Sequence, residues 1–392
     1  MRLETLIAQT RLELRPYQTR VVRKVRKMFD GEYVNGAGSK ENAAKSIILE
    51  SPTGSGKTPM CLLQARLEQE LHRSHVIWIS MRRNLLVQAA NENAAPSQGN
   101  PRGKDINAQI HFMSMFTKEI PEELLPHNRD RPLLIIVDEA HHDAANTMAH
   151  LHNELCPQRI LGATATPWRT DRVKLCFEKV VRDIGIRELI SQGWLSQYDH
   201  YSITNWEPET VADFYAMDPQ RWGTSLVFFH QQHLCRRFYH RLTEHHGIPS
   251  DIVTGNSDRE QQTRNLAEGR VACLANCAVL TEGFDFPDLK TVFVRDSGKG
   301  CTIQMGGRVF RRSDLHPVKQ VVQSKHSQWS FLKTAMPIQQ WVWENGQWLT
   351  LKINPLMNQV SMNARYMIAT SEQHIPEYIR IRSGRHKKKN RF

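Results

Sequence analysis

"SPTGSGKT", Ser51 to Thr58, follows directly on the apolar run Ile47-Ile48-Leu49. A strand that breaks into glycines and then into Lys-Thr fits the phosphate-loop pattern G-x-x-x-x-G-K-[ST]. Ser51 stands where that pattern has its first glycine, and Gly54 adds a second flexible point. Glycines let successive backbone N–H groups turn inward onto phosphate oxygens. A helix beginning at the lysine aims its N-terminus at the same anion. Pro59 suits that helix's first turn, where its missing N–H costs little. On this reading Thr53, Gly54, Ser55, Gly56, Lys57 and Thr58 hold a nucleoside triphosphate, with Lys57 on the β- and γ-phosphates and Thr58 on Mg²⁺. The plain alternative is a glycine turn between a strand and a helix, and Lys-Thr in register argues against it.

Outward from this point, short apolar runs alternate with amphipathic segments. "HVIWIS" (75–80), "PLLIIVDE" (132–139), "SLVFFH" (225–230) and "KTVFVRD" (290–296) read as buried strands. Helical patterns separate them, which predicts α/β architecture on parallel sheets. Asp138 and Glu139 close one of these strands, at the edge where open α/β sheets bind ligands. We expect that strand to neighbour the phosphate-loop strand. Asp138 then holds Mg²⁺, and Glu139 orients and deprotonates an attacking water. An acidic pair capping the next helix is the alternative. With a phosphate loop beside it, the pair points instead to hydrolysis of a nucleoside triphosphate.

Between about residues 195 and 223 the sequence turns polar and aromatic with little apolar periodicity, and the alternation then resumes. It fades after about 330 into the Trp- and Gln-rich "WSFLKTAMPIQQWVWENGQWL", and "IRSGRHKKKNRF" at the end holds no acid. The expected division is therefore 1–200, 201–330 and a C-terminal extension over 331–392. The helix pattern "YQTRVVRKVRKMF" (17–29) turns Val21, Val22, Val25, Met28 and Phe29 to a core and its basic residues mostly outward.

The 392-residue chain carries a formal charge of +12, from 52 Lys and Arg against 40 Asp and Glu. Such an excess favours a polyanionic partner, through counterion release. Seven cysteines are scattered without a C-x-x-C pair, which suits buried thiols in a reducing compartment. The apolar runs are too short to span a bilayer, so no membrane partner is expected. A cytoplasmic, nucleoid-associated location is expected, with the nucleus as the alternative.

"LLIIVDEAHH" together with the phosphate loop resembles a superfamily 2 helicase or translocase. The other motifs of that family follow in order: "LRPYQ" (14–18), "ISMRRNLLVQ" (79–88), "GATATPWRTD" (162–171), "VLTEGFDFP" (279–287) and "QMGGRVFRR" (304–312). The branch it resembles holds RadD-like repair helicases, phage branch-migration helicases and restriction-enzyme motor subunits. The resemblance implies two tandem RecA-like parallel-sheet domains, with ATP in the cleft between them, and a small C-terminal extension. It implies Arg15 and Gln18 at the adenine, and Gly283 and Asp285 also at the nucleotide. Gln304, Arg308 and Arg311 then act with Asp138 and Glu139 in catalysis. His141, Thr164 and Thr166 couple hydrolysis to movement. Arg82, Gln88, Ser114 and Thr281 contact nucleic acid. Met81 in place of a histidine, "MSM" (113–115) and "RDSGKG" (295–300) depart from the branch's pattern. The implied activity is an ATP-dependent DNA helicase or translocase that remodels duplex or branched DNA, with ATP and Mg²⁺ as cofactors. Its partner is duplex, forked or single-stranded DNA. The alternatives are an RNA helicase acting on RNA, and an ATP-gated motor subunit of a larger nuclease or defence complex, with a protein partner docking through 331–392.

Overall fold

The computed structural model describes residues 3–117, 119–142, 146–167, 177–255, 257–277 and 286–350. Thr281, Gly283, Asp285 and the basic C-terminal stretch lie outside the described residues. Residues 1–338 form one compact unit and 339–392 a second.

The first part of the larger unit carries helices α1 (Leu3–Ala8), α2 (Pro16–Phe29), α3 (Lys57–His72), α4 (Arg83–Asn93) and α5 (Asn146–Leu155). Its strands are β1 (Ser46–Glu50), β2 (His75–Ser80), β3 (His111–Ser114), β4 (Leu133–Asp138), β5 (Arg159–Thr164) and β6 (Lys179–Arg182). They form a sheet of order β3-β2-β4-β5-β1-β6, parallel throughout. β4 is buried from end to end, as an inner parallel strand with both faces covered must be. In α3, residues Met60 to Leu63, Ala65 and Leu67 are buried, because that helix packs against the sheet on one side and α2 and α4 on others. Val21, Val22, Val25, Met28 and Phe29 of α2 are buried as their spacing predicts. Arg26 is not turned to solvent: its guanidinium donates to the buried Glu68 at 2.8 Å. A buried carboxylate needs such a partner.

One expectation needs correction. β4 does not neighbour the phosphate-loop strand, because β5 lies between β4 and β1. The register sets Glu50 beside Thr164, and Asp138 beside Ala163. Three strand ends therefore meet at one edge with Thr164 in the middle. The phosphate-loop strand and the carboxylate strand are therefore two strand spacings apart, about 9.6 Å, instead of the one spacing of adjacent strands.

The second sheet follows α6 (Ile186–Ser191). It uses β7 (Gln197–Ile203), β8 (Ser225–Phe228), β9 (Ser250–Val253), β10 (Cys273–Asn276), β11 (Thr291–Val294) and β12 (Val318–Ser324). Within residues 1–338 these strands run in the order β7-β12-β11-β8-β10-β9, again all parallel. Helices α7 (Pro208–Met217), α8 (Pro219–Trp222), α9 (Gln232–Tyr239), α10 (Arg259–Ala267) and α11 (Lys299–Gly306) connect them. The stretch at 195–223, polar and aromatic with little apolar periodicity in the sequence, holds β7, α7 and α8. Its rings are core: Tyr198, Tyr201, Tyr215 and Trp222 are buried, and Trp222 meets Tyr201 and Phe293 edge-on at 5.0 and 5.5 Å.

The second unit shows a hairpin, β13 (Gln340–Glu344) and β14 (Gln347–Thr350). Asn345 and Gly346 both take positive φ, 50° and 76°, which a tight primed turn requires. Trp343 and Trp348 face each other across it with ring centroids 5.1 Å apart.

Candidate active site

The phosphate loop is built as its composition demands. Gly54 and Gly56 sit at φ 79° and 82°, the left-handed region glycine enters without penalty. Lys57 opens α3, and its Nζ donates back to the carbonyls of Ser51 and Pro52 at 3.2 and 3.3 Å. Ser51, the departure from the glycine pattern, donates its hydroxyl to Ser55 Oγ at 2.7 Å, and Ser55 donates to the Pro52 carbonyl at 2.6 Å. Two buried hydroxyls thereby brace the loop from beneath.

The "LRPYQ" segment grips the same loop. Gln18 Nε2 donates to the Ser55 carbonyl at 2.8 Å, and its Oε1 accepts from the Arg15 N–H at 2.8 Å. Tyr17 OH donates to the same Ser55 carbonyl at 2.5 Å, and Arg15 donates to that hydroxyl at 3.2 Å. The fit is close: a Cβ on Gly56 would stand 2.4 Å from Gln18 Nε2.

Asp138 ends β4 and is buried. Burial and the neighbouring Glu139 push its carboxyl up to about 7, against the opposing pull of Lys57. Burial likewise pushes the Lys57 ammonium down, with Glu139 and Asp138 opposing. Glu139 takes φ 51°, a left-handed conformation that costs a non-glycine residue about 1–2 kcal/mol. Its N–H donates to Asp138 Oδ1 at 3.0 Å. That turn lifts the Glu139 carboxylate toward His141, whose Nδ1 lies 3.5 Å from it and 3.1 Å from Thr164 Oγ1.

From here the second sheet enters. Gln304, on α11, sets its Nε2 3.1 Å from Thr166 Oγ1 and 3.4 Å from His141 Nε2. Thr166 and Thr164 are joined by the Thr166 N–H donating to Thr164 Oγ1 at 3.0 Å. Glu139, His141, Thr164, Thr166 and Gln304 therefore form one polar chain across the two sheets. Just past α11, a Cβ on Gly307 would lie 3.3 Å from Thr53 Oγ1, and one on Gly54 would lie 3.7 Å from Arg311 Cγ. Arg308 is buried, and its charge helps depress Lys57. Burial, and next the like charge of Arg102, push Arg311 down to about 10, still cationic at neutral pH.

The residues expected at nucleic acid are less convergent. Arg82 caps α4 at the end of β2. Gln88 directs its amide to Glu92, one turn on, at 3.1 Å, and Ser114 Oγ accepts from the Phe116 N–H at 3.3 Å. The sequence reading missed Arg259, which opens α10: burial, then the charge of Arg82, push its guanidinium down. The charge of Arg82, beside the first sheet, is thus felt at Arg259, beside the second. Tyr17 was also missed, although it sits inside the quoted "LRPYQ". Nothing in the sequence marks Arg259, because its electrostatic link to Arg82 is set by the fold.

The family described as Type III restriction enzyme, res subunit, matches residues 11–169, and the helicase conserved C-terminal domain matches residues 207–313. A 51.5 kDa protein of a Lactococcus phage is 24% identical over 62% of this chain and 57% of its own length. A Saccharomyces cerevisiae protein provisionally named ATP-dependent helicase IRC3 is 25% identical over 45% of this chain and 32% of its own. Among solved structures, the ATP-dependent Type ISP restriction-modification enzyme LlaBIII bound to DNA superposes with a TM-score of 0.56. It is 14% identical and covers 86% of this chain and 28% of its own. Saccharomyces cerevisiae Dbp5 bound to RNA and ADP BeF3 gives 0.50, with 15% identity over 87% and 95%. Two parallel sheets around one phosphate loop define a tandem RecA-like α/β fold. The chain belongs to the superfamily 2 helicases, a class of ATP-dependent enzymes. It spans about a third to three-fifths of the length of the curated relatives it matches.

Proposed function

We propose that this chain hydrolyses ATP and uses the energy to move along DNA, remodelling duplex or branched substrates. The observation that carries the reading is the approach of Arg311 and Gly307 to Gly54 and Thr53, which puts residues from both sheets on one phosphate loop. In this reading Arg15 and Gln18 meet the adenine, and the loop from Thr53 to Thr58 holds the phosphates. Thr58 and Asp138 hold Mg²⁺, which neutralises phosphate charge when bound. A buried carboxyl raised to about 7 beside a second acid suits a cation, which would restore its ionised form. Glu139 takes the proton of the attacking water. Arg308 and Arg311 stabilise charge on the γ-phosphate, worth roughly 10³–10⁵ in rate. The chain from Glu139 through His141 to Gln304 passes the state of the nucleotide to the second sheet, and closing and opening of the cleft step the two halves along a strand.

The basic excess and the match to a restriction-enzyme subunit support DNA as partner. The like charges of Arg82 and Arg259, each felt by the other, suit a phosphate. The test is ATP turnover with duplex DNA, forked DNA, single strands and structured RNA. DNA should stimulate it, and Lys57→Ala and Glu139→Gln should abolish it. Hydrolysis indifferent to every nucleic acid would refute the motor, and stimulation by RNA alone would transfer it to RNA.

A further inference from the structure

We propose that Trp194-Leu195-Ser196 is a positioning strap between the nucleobase side of the ATP site and the arginine finger, so that the base governs where Arg311 stands. The inference deepens the reading above and rests on it. Three consecutive residues reach three different parts of the site. The Trp194 ring lies under the Arg15 guanidinium, 5.0 Å from its centroid, a stacking geometry that orients a cation. A Cβ on Gly54 would stand 3.2 Å from Leu195 Cδ2, so Leu195 backs the phosphate loop. Ser196 N–H donates to the Phe310 carbonyl at 2.8 Å, and its hydroxyl donates to the Arg311 carbonyl at 3.2 Å.

The strap is stiff. The N–H groups of Trp194 and Leu195 both donate to the Leu189 carbonyl, at 2.9 and 3.2 Å, at the end of α6. Leu189, Leu195, Phe310 and Tyr17 share one buried apolar cluster. Arg15 also holds Tyr17, and Tyr17 holds the Ser55 carbonyl. A base that draws Arg15 toward itself therefore pulls on Trp194. Trp194 cannot shift without Ser196, two residues on, carrying the backbone of the finger. Three fixed attachments leave little slack for the displacement to dissipate, because packed interfaces transmit small shifts as rigid steps.

The test is steady-state hydrolysis of ATP and GTP by the full chain and its Trp194→Ala, Trp194→Phe and Ser196→Ala forms, with inorganic tripolyphosphate as competitor. Wild type should prefer ATP. Trp194→Ala should lower kcat/KM for ATP about tenfold, a change of about 1.4 kcal/mol, while GTP changes little. Trp194→Phe should restore the preference, since a phenyl face still stacks the guanidinium. Ser196→Ala should lower kcat with KM for ATP retained. Tripolyphosphate, which has no base, should inhibit all four alike. Equal losses for ATP and GTP in Trp194→Ala, weaker tripolyphosphate inhibition in parallel, or no rescue by phenylalanine would overturn the strap and leave the ATPase standing. A wild-type chain that hydrolyses neither nucleotide would bring down the proposed function and the strap with it.

Discussion

At the scale of single residues, the candidate site concentrates charge where water is scarce. Asp138 is the clearest case. Its folded carboxyl is raised above the ordinary value, so the folded state keeps a proton that the unfolded chain releases. The sign follows: stability falls as pH rises from about 4 to about 7 and stays down above it. Asp138→Asn should therefore melt higher than wild type at pH 8, by roughly 2–4 °C per kcal/mol relieved, and the gap should vanish near pH 4. Thermal melts across pH measure it, and a variant that melts lower at pH 8 would mean that Lys57 needs its partner more than burial penalises it. Arg311 gives a kinetic expectation. Arg311→Ala should cut ATP turnover by roughly 10³–10⁵ while leaving nucleotide affinity nearly intact. A small loss in single-turnover hydrolysis would remove it from the finger role. Glu139 shows how the fold adds to composition: its backbone sits at φ 51° and its carboxylate lies 3.5 Å from His141 Nδ1.

At the scale of elements, packing overrides local preference at Gly306. Alanine usually stabilises a helix over glycine by about 0.5–1 kcal/mol. Gly306 lies in α11, but a Cβ there would stand 2.4 Å from Phe331 Cε2, and Phe331 is fully buried. Gly306→Ala should thus destabilise by about 1–3 kcal/mol in denaturant unfolding, and by shifting α11 it should also weaken Gln304's link to His141. Gly162 in β5 makes the same argument, with a Cβ 2.7 Å from Phe177 Cζ and 2.8 Å from Ala140 Cβ. No strand pattern reveals either contact. The phosphate loop was legible because glycine positions and a lysine are a local code. Gln304 on α11 was legible only through its likeness to a motif, since its partners lie more than a hundred residues away in the chain.

At the scale of the molecule, the residues placed at ATP that the structure describes all lie within residues 1–338. A chain ending at 338 should therefore keep nucleotide hydrolysis, and any loss on truncation should appear in nucleic-acid affinity. Loss of basal turnover would tie the hairpin unit to catalysis. The charge of +12 makes DNA stimulation salt-sensitive: raising salt from about 50 to about 200 mM should demand far more DNA for half-maximal stimulation. A flat salt response would argue against phosphate contacts. Among the described residues no helix is long and apolar enough to cross a membrane.

The amino-acid order by itself determined the parallel α/β layout, the phosphate loop and the acidic strand end, because each is written in a window shorter than a strand and helix. It also misled where aromatic content hid β7 and α7, since rings that fill a core look like a break in apolar periodicity. Tertiary structure alone decided that β5 separates β4 from β1, that the charge of Arg82 is felt at Arg259, and that Trp194 to Ser196 touch Arg15, Gly54 and Arg311. Those facts depend on strand order and on how two sheets share one cleft. Both are settled by burial summed over the whole chain, which no local stretch records.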